Sequence, residues 1–160
     1  MPLRNAAAPM LQDVLYCTGR GSSPWSSEAA DAVVLFPHSN DYSHVSAAWL
    51  EGPKRWIVLY GTGVDNAGDS GFRRPAMARI GTTLFPAENW TAEIEIFNPV
   101  KAGPPMEPPP QDHPGWAYGV FVLNRFTEWD ASTRELGTYY LLSTSSPYQV
   151  HLMHTRFHLV

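Results

Sequence analysis

Asp41, Tyr42, Ser43 and His44 stand together just before a short apolar run, and their types are those of an acid–base or ligand-binding cluster. Histidine titrates close to neutral pH, which suits His44 to act as a general acid. Asp41 would orient the imidazole or serve as base, while Tyr42 and Ser43 offer hydroxyls to a ligand. The same four residues also read as a polar turn leading into a strand, with the imidazole bonded to backbone. A second group flanks a later apolar run, with Trp116 and Tyr118 near its start and Arg125 just after it. An exposed ring at such a place stacks on a sugar, and a guanidinium bonds hydroxyls or a carboxylate. Tyr118 reads equally well as core and Arg125 as surface. His151, His154 and His158 invite a metal reading, which strand geometry opposes. Side chains alternate along a strand, so 151 and 154 face opposite ways. His154 and His158 share a face but stand about 13 Å apart, too far for one ion. No metal and no other cofactor is expected.

The elements that must position these groups are strands. Residues 12–17, 31–36, 44–50, 55–61, 76–80, 92–97, 117–123, 136–144 and 148–157 are short β-type runs bounded by Gly, Pro, Asn, Asp or Ser. The stretch AEIEIF at 92–97 alternates, so one of its faces is wet. The stretch RWIVLYG at 55–61 is nearly continuous in apolar residues and should be covered on both faces. The best helical candidate is 26–33, where the apolar run that follows reads better as strand. Residues 130–135 read as a polar hairpin loop, and the Pro-rich run at 103–115 as a stiff, extended connection.

A repeat organises these strands. Trp25-Ser26-Ser27-Glu28 and Trp90-Thr91-Ala92-Glu93 share a W-[ST]-x-E pattern, 65 residues apart, and each leads into an apolar run. A hairpin follows each: HVSAAWL with RWIVLYG, then YGVFVL with TYYLLS. A period of this size with about four strands is the arithmetic of a propeller blade. On this reading the chain is all-β, a partial β-propeller of about two to two and a half four-stranded antiparallel blades. Val45–Leu50 and Gly119–Leu123 would be innermost strands, their starts at a channel mouth. A β-sandwich with coincidental tryptophans is the other architecture the pattern allows. Closed propellers typically have four or more blades. Sheet edges are therefore expected to be covered by further N-terminal blades or by a homo-oligomer.

The chain has 160 residues, which fits one domain, 1–160. Hydrophobic residues make up 44%, enough for a buried core and too many for a disordered chain. A net charge of −4 with no basic run argues against a nucleic-acid partner. Cys17 is the only cysteine, so no internal disulfide is available. No apolar run approaches the ~20 residues of a membrane helix, and no signal peptide is read at the N-terminus.

The stretches YSHVSAAWLEGPKRWIVLYG, MARIGTTLFPAENWT and especially YYLLSTSSPYQVHLMHTR resemble the C-terminal blades of a bacterial uncharacterised-domain family. That family is similar to the arabinanase-type five-bladed propeller glycosidases and includes endo-D-arabinanases. The resemblance runs from about Asp13 to the end. It implies the C-terminal part of a five-bladed propeller-like fold that acts on or binds furanose-rich, arabinan-like polysaccharide. It also implies a secreted or periplasmic location. Hydrolysis of this kind uses two carboxyl groups flanking the bond. The stretch DYSHVSAAW carries no glutamate where the glycosidases often place an acid, and the other carboxylate usually lies in a first blade not recognised here. A glycoside hydrolase is thus one expectation, completed by further blades. A non-catalytic carbohydrate-binding or interaction module is the other.

Overall fold

A computed structural model describes residues 16–19, 25–36, 43–61, 75–98, 101, 117–145 and 148–160. Among them strands dominate and every pairing between them is antiparallel. The chain divides into two compact units, Met1–Pro37 and His38–Val160.

In the first unit, strand β1 (Tyr16–Cys17) pairs with β2 (Trp25–Ser26). Residues 31–36 were expected as a strand and are not one. A short 3-10 turn, Ala29–Asp31, occupies the place where a helix was the weaker alternative. After it, Val33 N–H bonds the Cys17 carbonyl (2.9 Å), a single strand-like link. The cause is local: Ser26 Oγ donates to Asp31 Oδ2 (2.6 Å) and accepts from Glu28 N–H (3.0 Å). Side-chain bonds of this kind compete with a ladder.

The second unit holds two four-stranded sheets. The first is a meander of β3 (Ser43–Leu50), β4 (Arg55–Gly61), β5 (Ala76–Gly81) and β6 (Ile94–Phe97). β4 is central and its last five residues are buried, as its apolar sequence demands. On β6 Ile94 and Ile96 are half-buried and Glu95 is exposed, as the alternation requires, and a register shift beside Ala76 then lets Phe97 be buried as well. The second sheet contains β7 (Ala117–Val122), β8 (Glu128–Asp130), β9 (Glu135–Ser145) and β10 (Tyr148–His158). β9 is central, with β10 on one side and both β7 and β8 on the other. A 3-10 turn, Asn124–Phe126, separates β7 from β8. Together β7 and β8 occupy the position that β3 holds alone in the first sheet. Residues 131–134 form the expected polar hairpin turn, but β8 before it was not expected, because three residues beside a turn carry no periodicity.

The W-[ST]-x-E pattern has a structural task in the first sheet. Trp90 bridges Gly81 across β5, and its ring lies where a Cβ on Gly81 would stand, 2.6 Å from Cδ2. Its indole N–H donates to the Leu84 carbonyl (3.1 Å). Thr91 Oγ1 accepts from Ile80 N–H (3.1 Å), and its carbonyl accepts from Arg79 (3.1 Å). Glu93 pairs with Arg79 (3.3 Å) and accepts from the Tyr60 hydroxyl (2.9 Å). Burial pushes the Tyr60 phenol well above its ordinary range, so it stays protonated and donates. These bonds hold the run that follows Trp90 against β5. Trp25, expected to lie like Trp90 between a third and a fourth strand, is instead part of the short strand β2. Both tryptophans bridge a neighbouring strand, at Cys17 and Gly81. Trp90, however, is 7% exposed and Trp25 52%.

One core joins the sheets of the second unit. Ala48, Leu50, Ile57, Leu59, Ala78 and Ile80 form one face of the first sheet and meet Val120, Leu136, Tyr140, Leu142 and Phe157 of the second. Tyr140 OH donates to the Ile96 carbonyl (3.3 Å), tying β9 to β6. Trp129 of β8 packs on Gly52, whose added Cβ would lie 2.9 Å from its own.

Candidate functional site

The two quoted hairpins are built on one plan. Leu50 pairs with Arg55 across the turn 51–54, and Asp130 pairs with Glu135 across the turn 131–134. Both turns end on a residue with positive φ, Lys54 (53°) and Arg134 (56°). At the far end of each hairpin the register shifts once, between Ser43 and Ser46 and between Tyr118 and Phe121. In each case two residues of the first strand stand against one of the second, which defines a β-bulge. The first bulged residue is His44 in one (φ 51°) and Gly119 in the other (φ 59°). Glycine adopts that left-handed conformation without strain, whereas a side chain there costs about 1–2 kcal/mol. His44 therefore occupies a position for which glycine is the default.

β3 and β7 lie side by side. Val122 N–H bonds Ser46 Oγ (3.2 Å), and the Asn124 amide bonds the Trp49 carbonyl (3.4 Å). Both partners advance together in sequence, so the strands run the same way and their bulges lie at the same end. Converging strands of one direction bring distant parts of a chain to one place, which is how concave ligand sites are assembled. This end carries Ser43 and His44 from β3 and Tyr118 and Gly119 from β7. His44 and Val45 are exposed.

Asp41, Tyr42 and Trp116 lie outside the described residues, as do the side-chain placements of Ser43 and Tyr118. Arg125 is placed elsewhere. It sits in the turn Asn124–Phe126, beside Trp49, about 16 Å along the strand from the level of His44. Arg125 and His44 thus belong to opposite ends of the first strands. Among the described residues no group of three or more His, Cys, Asp or Glu is placed to hold a metal ion, and no helix is long and apolar enough to cross a membrane.

Two features were not anticipated. A cleft of about 550 Å³ opens between the sheets at the Arg125 end, lined by Arg55, Glu88, Trp90, Arg156, His158 and neighbouring residues. On the second sheet, Glu128, Tyr139 and His154 gather around Gly137. The Tyr139 hydroxyl donates to Glu128 Oε1 (3.3 Å), and the His154 ring stacks on Tyr139 with centroids 4.4 Å apart. The point where a Cβ would stand on Gly137 is 3.0 Å from His154 Nε2 and 3.3 Å from Glu128 Oε2. Gly137, bare between strands, was the sequence signal that could have located this cluster. No family model, curated protein or solved structure matches the chain.

Proposed function

We propose that the chain is a propeller-type glycan-recognition domain, arabinanase-like in kind, that binds furanose-rich polysaccharide where β3 and β7 begin. The observation that supports it is the pair of matched bulges at one end of two adjacent strands, with a strained His44 in one of them. Left-handed non-glycine residues cluster at ligand sites, where the surroundings hold them in place. In the hydrolytic form of this reading, His44 gives the proton to the leaving group, and Asp41 orients it or acts as base. Tyr42, Ser43, Trp116 and Tyr118 hold the sugar, and Arg125 has no part at this end. The non-catalytic form is favoured by one fact: residues 43–50 and 117–122 contain no Asp or Glu. Two-carboxylate hydrolysis then lacks its second acid.

Calorimetric titration with arabinan-derived oligosaccharides, together with an assay for released reducing ends, tests both forms. The expected result is saturable binding that weakens roughly tenfold in His44→Gly, a variant that keeps the bulge backbone and removes the imidazole. Binding without turnover selects the non-catalytic form. No binding to any furanose-rich glycan contradicts the proposal.

A further inference from the structure

The second sheet has two unlike faces. Leu136, Tyr140 and Leu142 of β9 point into the core. The opposite face carries Phe121, Leu141 and Leu152 in one cross-strand row, with Val150 beside it. Phe121 is 51% exposed, Leu152 64% and Val150 66%. Three large apolar side chains so exposed on the two strands that flank β9, with Leu141 between them, form a patch rather than scattered surface residues. The repeat says what such a face is for. Phe121, Leu141 and Leu152 stand at the register positions of Ser46, Leu59 and Ala78 in the first sheet. That face of the first sheet is covered, by the second sheet itself.

Charge on the exposed face is also ordered. Glu128 and Gly137 are paired, as are Gly137 and Arg156, so an acid and a base flank the central strand at one level. One step further on, Asp130 and His158 flank Glu135 in the same way. Acids thus lie on the β8 side and basic groups on the β10 side. A two-fold axis running along β9, in the plane of contact, exchanges the two sides and preserves the level along the strand. A second copy placed by that axis sets Phe121 on the partner copy's Leu152, Glu128 on its Arg156 and Asp130 on its His158. Apolar meets apolar and the flanking charges meet their opposites, while Glu135 of β9, on the axis, faces its own copy, in the aligned sheet-on-sheet packing that strand twist favours.

We infer that the exposed face of the β7–β10 sheet is a self-association surface that pairs two copies of this chain about a two-fold axis along β9. The inference does not depend on the proposed glycan site.

Analytical ultracentrifugation of the full chain over a range of concentrations tests it. The expected result is a monomer–dimer equilibrium. Leu152→Lys and, separately, Phe121→Lys shift it to monomer, with thermal unfolding checked to show that each variant is folded. Glu128→Arg and Arg156→Glu each weaken the dimer roughly tenfold, because like charges then face one another. The double variant Glu128→Arg/Arg156→Glu restores it, which no merely destabilising change would do. A monomer at every concentration overturns the inference. So does a dimer untouched by Leu152→Lys, which would use another surface such as the free edge of β10, and so does a double swap that fails to rescue.

Discussion

His44 is the residue at which conformation and chemistry meet. Its left-handed backbone is set by the bulge, not by its side chain, because Gly119 does the same in the second sheet. Substituting glycine removes that strain, while alanine retains it. His44→Gly should therefore be at least as stable as His44→Ala, by up to about 1 kcal/mol, in denaturant unfolding monitored by fluorescence. Gly81 shows the opposite constraint. A methyl group there collides with the Trp90 ring, so Gly81→Ala should cost about 1–3 kcal/mol in the same measurement. Asp130 organises the 131–134 turn by accepting from Ser132 N–H (2.8 Å), Ser132 Oγ (2.6 Å) and Thr133 N–H (3.3 Å). Those bonds, from Ser132 first, lower its pKa from 3.8 to about 2. A depressed carboxylate contributes stability that is complete above its unfolded value and is lost as pH falls through the folded one. The native chain should thus lose stability between about pH 4 and pH 2 more steeply than Asp130→Asn, in thermal melts across that range.

At the scale of the elements, most strands were legible because Gly, Pro and Asp bracket short apolar runs. β4 spans the expected 55–61, and β3, β5, β7, β9 and β10 differ from expectation by one or two residues at their ends. Two of the failures share a cause. Strand 31–36 dissolved because Ser26 and Asp31 satisfy their own neighbourhood. β6 begins at Ile94, not residue 92, because Thr91 and Glu93 are engaged with β5 through side chains. In both places local side-chain bonds set the outcome, and periodicity is blind to them. The site was legible only in part. His44 could be singled out by type, but its bulge is a property of register and no residue preference announces it. Arg125 was grouped with Trp116 and Tyr118 because all three flank one short run, and the Asn124–Phe126 turn after that run keeps it at the other end. Between the sheets, Tyr140 contributes through its hydroxyl as well as its ring. Tyr140→Phe leaves the apolar contact and deletes the bond to Ile96, so a loss of about 1 kcal/mol is expected by calorimetric unfolding.

For the whole molecule, the repeated hairpin explains both surfaces discussed above. Two copies of one plan, set side by side with their first strands running together, bring two bulges to one end. The same repetition puts on the exposed face of the β7–β10 sheet the register positions that the first sheet buries. The first surface carries the proposed glycan function, and it admits a direct measurement. Backbone amide NMR during titration with an arabinan-derived oligosaccharide reports where the sugar lies without disturbing the chain. Saturable shifts centred on residues 41–46 and 116–121, the two bulges and the polar residues that precede them, are the expected result. Shifts centred instead on Trp90, Arg156 and His158, in the cleft at the opposite end, would contradict it, as would a spectrum that does not respond.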